Sequence, residues 1–192
     1  MRKGGGNPKG GEFERKTCKE LSLWISDGER DDLFWRSAMS GGRATLSLKK
    51  DKLASSQAGD VSAIDVLGHL FIGTFVVECK FYKDLELHKL FFGGKTGIVS
   101  FWWKAKKEAK AHGKVPFMVA KQNFMPTILC LDTRGSEIYE NDNHDSHIDD
   151  ILMAYFPEWD LFIYIWDEFL EKARHVDCSD YTTKRTRRKL LK

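Results

Sequence analysis

The residues best placed to do chemistry are Glu78 and Lys80, two apart in the run Phe75-Val-Val-Glu-Cys-Lys80. Glu-x-Lys occurs three times in the chain, as Glu14-Arg-Lys16, Glu78-Cys-Lys80 and Glu108-Ala-Lys110. The first and third fall in helical patterns, where positions i and i+2 do not share a face, and solvation accounts for them. The second falls in a β-run, where i and i+2 point to the same side of the sheet. Cys79 then points with Val77 into the opposite, apolar layer. A buried ion pair recovers little more than its desolvation cost, so stability alone is a poor reason for a carboxylate and an ammonium on this strand.

Asp60 follows Gly59 and opens the preceding Val/Ile-rich segment. Residues 60 to 67 and 74 to 82 are expected to form an antiparallel hairpin turning about Gly68-His69. That hairpin sets Asp60 opposite Val77 and Glu78, with Asp65 away near the turn. Directly opposed residues lie about 5 Å apart, near enough for two carboxylates to share one hard cation. Asp60 and Glu78 are therefore the candidate metal ligands, and a divalent cation relieves their mutual repulsion. Lys80 is the candidate to orient a water or stabilise developing negative charge. Glu14 is the fourth candidate: at helical spacing it shares the apolar face of Cys18, Leu21 and Ile25, whereas Glu12 turns outward.

The elements that must hold these groups follow from periodicity and punctuation. Residues 1–11 are Gly-rich and basic and are expected to be a flexible arm. A helix from about Glu12 to Ser26 ends at Asp27-Gly28. A short strand is expected at 33–38, then a polar loop to Gly59. A helix over Val99–His112 should lead into strands at Val115–Ala120 and Thr127–Leu131. Beyond these are expected a polar loop over 140–146, a short helix, a strand at 161–166 and a helix to Arg174. Residues 12–176 are expected to form a single domain and 177–192 a basic tail. Strands flanked by helices argue for an α/β sandwich around a mixed sheet.

Composition narrows the class. Hydrophobic residues make up 42% and aromatics 12%, which is globular rather than disordered. No apolar run approaches the ~20 residues that span a bilayer, so an intracellular, cytoplasmic protein with no membrane partner is expected. Cys18, Cys79, Cys130 and Cys178 form no CxxC pair and are expected to be free thiols. The net charge of +3 conceals basic termini, a basic cluster (Lys104, Lys106, Lys107, Lys110, Lys114) and an acidic stretch from Glu137 to Asp150. Such segregation fits a polyanionic partner. Trp102, Trp103, Trp159 and Trp166 sit among apolar neighbours and are expected in the core, and His144-Asp-Ser-His147 in a solvated turn.

A helix bearing Glu14, then Asp60, then Glu78-Cys-Lys80 resembles the PD-(D/E)XK nuclease superfamily. Within it, residues 9–43 are similar to the Holliday-junction resolvases of archaea and phages. Lys9-Gly-Gly-Glu-Phe-Glu-Arg15 is similar to their Lys-Gly…Glu-Arg helix, and Arg36-Ser-Ala-Met-Ser-Gly-Gly42 to their Arg-Ser…Ser-Gly segment. Gly59, Asp60 and Val61 take the place of their Pro-Asp-Ile/Val, with Gly for Pro. The likeness runs over about residues 9–125. The loop between Ser40 and Asp60 is longer than theirs, and residues beyond Pro126 have no counterpart.

The resemblance implies a restriction-endonuclease-like sheet and a Mg²⁺-dependent endonuclease, with Mn²⁺ as a substitute, acting on branched DNA as a homodimer. It implies catalytic roles for Glu14, Asp60, Glu78 and Lys80, and DNA contacts from Arg15, Arg36, Ser40 and Lys121. A phage or prokaryotic source is implied as well. A restriction- or repair-type endonuclease on linear duplex is the alternative enzyme, and a non-catalytic DNA-binding module the alternative class.

Overall fold

The computed structural model describes residues 8–37, 58–93, 97–141 and 148–173. Most of the basic arm, the loop bearing Ser40, the two histidines at 144 and 147 and the basic tail lie outside the described residues.

A five-stranded sheet forms the middle layer. Its strands are β3 (Phe75–Tyr82), β4 (Val115–Gln122), β5 (Thr127–Leu131), β6 (Leu152–Phe156) and β7 (Leu161–Ile165), in the spatial order β3-β4-β5-β7-β6. β3 and β4 run parallel, with Glu78 beside Met118 and Lys80 beside Ala120, and every other pair is antiparallel. Parallel neighbours require a crossover, which α3 (Gly97–Ala111) supplies. α1 (Pro8–Ile25), α2 (Val66–Thr74), α4 (Thr133–Asn141) and α5 (Trp166–Lys172) contribute to one buried layer, around Phe71, Phe75, Phe117, Tyr139 and Phe169. α3 covers the other face through Ile98, Trp102 and Ala105 against Met118, Ala120 and Ile163. This is the expected restriction-endonuclease-like mixed sheet flanked by helices.

Alternation along β3 divides the two layers as expected. Val77 and Cys79 join the α1 side, while Tyr82 stacks on Phe101 of α3 with ring centroids 4.7 Å apart. Cys18, Leu21 and Ile25 are buried on one face of α1. The helix begins at Pro8, so residues 8–11 are not part of a flexible arm. Proline suits a first helical turn, where its missing N–H has no partner to lose.

The expected hairpin is absent. Residues 61–63 instead form β2 (Val61–Ala63), antiparallel to β1 (Phe34–Arg36) in a separate two-stranded ribbon, and residues 66–74 are α2. Asp65 caps α2, its Oδ1 accepting the Leu67 N–H at 3.1 Å. A short run that is apolar all round fits a buried helix as well as a strand, and only packing separates them. Gly68 is not a turn residue: a Cβ there would lie 2.9 Å from both the Ala63 Cβ and the Leu33 carbonyl oxygen, so it lets α2 pack against the ribbon.

The last third also differs from expectation. Residues 133–141, expected in part as loop, form α4, because Ile138 and Tyr139 share a buried face. The short helix expected after the loop is a single 3-10 turn at Ile148–Ile151, and residues 152–156 add an edge strand, β6, that was not expected. Trp102 and Trp166 are fully buried as expected, whereas Trp103 is half exposed.

Candidate active site

Asp60 reaches β3 by a route other than a hairpin. Its backbone N–H donates to the Val77 carbonyl at 2.8 Å, and its carbonyl accepts from the Ser37 N–H at 2.8 Å. It thus bridges the ribbon to the free edge of β3. Gly59 makes the approach possible: its φ is +82°, and a Cβ would stand 2.4 Å from the Val77 oxygen. The Gly59 N–H donates to the Glu108 carboxylate of α3 at 3.2 Å. Glu108 is therefore more than a solvated helix residue, which is a correction to the sequence-based expectation.

Three oxygens converge on one cationic nitrogen. Lys80 Nζ lies 2.5 Å from Glu78 Oε2, 3.2 Å from Asp60 Oδ2 and 3.2 Å from the Cys79 carbonyl oxygen. Asp60 Oδ2 also accepts the Cys79 N–H at 2.8 Å, which fixes the carboxylate against β3. The three side chains are largely buried. Burial and the charge of Asp60 push the Glu78 carboxyl up to about 8, against the opposing pull of Lys80. Burial alone would depress the Lys80 ammonium, but Glu78 and Asp60 hold it well above its usual value. With both carboxylates ionised they outnumber the one ammonium, and a further cation would relieve the repulsion that raises Glu78.

The donors are hard oxygens: two carboxylates and a carbonyl. Mg²⁺ is commonly held by one or two carboxylates and completes its shell with water, so these residues fit it. Among the described residues no group of three or more His, Cys, Asp or Glu side chains is placed to hold a metal. The third oxygen at this point is the backbone carbonyl of Cys79, which side-chain spacing cannot reveal.

Glu14 stands on the α1 side, largely buried, and its Oε2 accepts from Nε of Arg36. Glu14 and Asp60 both act on the intervening Cys18, whose thiol is pushed up to about 12 by burial and then by these two charges. Gly11 leaves space for the Arg36 guanidinium, since a Cβ there would meet Nη1 at 3.2 Å. Arg15 is exposed on α1. Lys121 lies on β4 opposite Phe81, its Nζ donating to the Met125 carbonyl at 2.6 Å. Asp65, rejected on spacing, pairs with Arg30 at 2.7 Å. One further correction concerns the basic cluster: Lys114 is buried and donates to the Ile72 carbonyl, so it is not part of an exposed face.

A mixed sheet whose edge strand presents Glu-x-Lys to an aspartate arriving from a neighbouring ribbon is the architecture of a PD-(D/E)XK nuclease. The sequence profile of the family described as "Phage putative PDDEXK endonuclease" matches residues 6–178, and the chain belongs to that family. Neither the curated proteins nor the solved structures include a match to this chain. No helix among the described residues is long and apolar enough to cross a membrane.

Proposed function

We propose that this nuclease is a Mg²⁺-dependent DNA endonuclease that cuts branched DNA, a four-way junction above all, as a homodimer. The observation that carries the metal reading is the convergence of the Asp60, Glu78 and Cys79 oxygens on the Lys80 ammonium within 3.2 Å. Asp60 and Glu78 are the side-chain ligands, joined by the Cys79 carbonyl. Bound there, Mg²⁺ or Mn²⁺ supplies an activated water and neutralises charge on the phosphodiester.

The chain's own groups do the rest. The Cys79 N–H and the Val77 carbonyl hold Asp60 in place before any ligand binds, which lowers the cost of assembling the site. Lys80 balances the carboxylates and is positioned to stabilise the charge that develops at phosphorus. Glu14 fixes Arg36, whose guanidinium is part exposed and suited to a phosphate oxygen. Arg15, Ser40 and Lys121 are the further phosphate contacts that the resolvase resemblance implies. That resemblance, over residues 9–43, also supports the junction, and two symmetric cuts call for two copies of the site.

The test is cleavage of a four-way junction against a linear duplex of the same sequence, with Mg²⁺ and with EDTA. Paired cuts in the junction at a much higher rate, abolished by EDTA, are the expected result. Equal rates on both substrates remove the junction preference, and undiminished cleavage in EDTA removes the metal.

A further inference from the structure

A second cationic site lies away from the carboxylates. The C-terminal half of α3 and the start of α4 line an open cavity of about 490 Å³, formed by Trp103, Lys106, Lys107, Lys110, Lys114 and Arg134 among others. One carboxylate, Asp132, lines it as well. Asp132 is committed to the first turn of α4, its Oδ1 accepting the Gly135 N–H at 2.9 Å. The Thr133 N–H is likewise taken, by Asp160 at 2.8 Å. Attraction for an anion therefore comes from the side-chain cations and not from the helix end. Lys106 is paired with Asp160 at 2.6 Å, whereas Lys107 and Lys110 make no salt bridge among the described residues. Trp103 is half exposed at the rim, with the Lys106 ammonium 5.5 Å from its ring centre.

Unpaired lysines beside an exposed indole are the chemistry of a nucleotide: a phosphate for the cations and a base for the ring. A volume of about 490 Å³ is within the range of small-ligand sites. The cavity lies near the start of β4, where Val115 faces Phe75, three residues before Glu78. Three strand residues and the width of a helix separate it from the carboxylates, roughly 15–20 Å, or about five base steps along a strand.

We propose that this cavity is a second, non-catalytic site that takes one nucleotide unit of a DNA strand, its phosphate on Lys107, Lys110 and Arg134 and its base against Trp103. It extends the nuclease reading by fixing where a strand is held beyond the cut. The step is binding alone, with no bond made or broken.

The test measures binding of a fluorescein-labelled short oligothymidylate to the full chain in EDTA, with dTMP and inorganic phosphate as competitors. Lys107→Glu and Lys110→Glu should each weaken binding roughly fivefold to tenfold and lower the salt slope by about one. Trp103→Ala should weaken it roughly tenfold through lost stacking. Lys104→Glu, the same charge change outside the cavity, should stay within about threefold of the parent chain, because long-range attraction alone is screened by salt. Lys107→Gln and Lys110→Gln serve where a reversal fails to fold, and should weaken binding in the same order. Equal losses from Lys104→Glu and Lys107→Glu would overturn the site in favour of diffuse charge. A Trp103→Ala chain that binds as the parent does, or dTMP competing no better than inorganic phosphate, would overturn the nucleotide assignment. The readout is binding without metal, so failure here leaves the cleavage assay untouched, and failure of cleavage leaves this result standing.

Discussion

Replacing Gly59 by alanine should dislocate the site without touching any charged group. Two separate costs arise. Alanine at φ +82° is held in the left-handed region, which costs an L-residue about 1–2 kcal/mol. The new Cβ would also stand 2.4 Å from the Val77 carbonyl oxygen, a backbone atom that cannot swing aside. Relief requires the Gly59–Asp60 segment to withdraw from β3, losing the 2.8 Å bond from the Asp60 N–H to that same oxygen. A buried donor or acceptor left unsatisfied costs about 1–3 kcal/mol, so the total is about 2–5 kcal/mol.

Two other glycines isolate the terms. Gly28 has φ +86° with nothing within 4 Å of its would-be Cβ, so Gly28→Ala reports strain alone, about 1–2 kcal/mol. Gly10 lies in α1 with open space around it, and Gly10→Ala should gain a few tenths to about 1 kcal/mol. With a urea m-value of roughly 2 kcal/mol/M, the denaturation midpoint should fall by about 1–2.5 M for Gly59→Ala and about 0.5–1 M for Gly28→Ala. Cleavage should fall at least about a hundredfold in Gly59→Ala, because a displacement near 1 Å is enough to spoil a positioned ligand, and should be unchanged in the other two. A Gly59→Ala midpoint equal to that of Gly28→Ala, with normal cleavage, would refute the claim that Gly59 pins Asp60.

Three further outcomes are expected. Asp60→Asn or Glu78→Gln should abolish cleavage while DNA binding holds or tightens, since each removes a ligand charge and a repulsion toward phosphate; near-normal turnover in either variant, measured at saturating Mg²⁺, argues against the assignment. Ca²⁺ should support DNA binding but not hydrolysis, because it fills an oxygen site with loose geometry; a cleavage rate in Ca²⁺ equal to that in Mg²⁺ contradicts this. Burial pushes Lys114 down to about 8 from its usual 10.5, so between those values the unfolded chain holds more protons and this residue's contribution to stability rises with pH. The penalty is fully present below about pH 8, and Lys114→Met should remove it. Urea melts of both chains should show the parent gaining up to about 3 kcal/mol on the variant from pH 8 to 10.5, and a constant difference would contradict the burial argument.

Particular residues show what the sequence by itself determined. Glu78 and Lys80 were legible because strand alternation is a local rule: residues two apart share a face whatever the strand pairs with. Cys18, Leu21 and Ile25 marked the buried face of α1 for the same kind of reason, and Glu14 came with them. Asp60 was placed beside Val77 and Glu78 through a hairpin that does not exist, since residues 61–63 pair with β1 and the Val66–Thr74 run is helical. The placement held because Gly59 and Asp60 meet the edge of β3 at the same level by another path.

Only the tertiary structure decided the long-range terms. The parallel partner of β3, the Glu108 carboxylate holding Gly59 and the Arg36 guanidinium on Glu14 join residues 22 to 49 positions apart. No periodicity encodes such contacts, because they depend on which apolar faces find each other. Lys114 shows the limit most plainly. Its neighbours Lys107 and Lys110 look the same in sequence and stay exposed, while Lys114, just past the end of α3, is carried under α2 to the Ile72 carbonyl. Charge type is a property of the chain, but burial of that charge is a property of the packed fold.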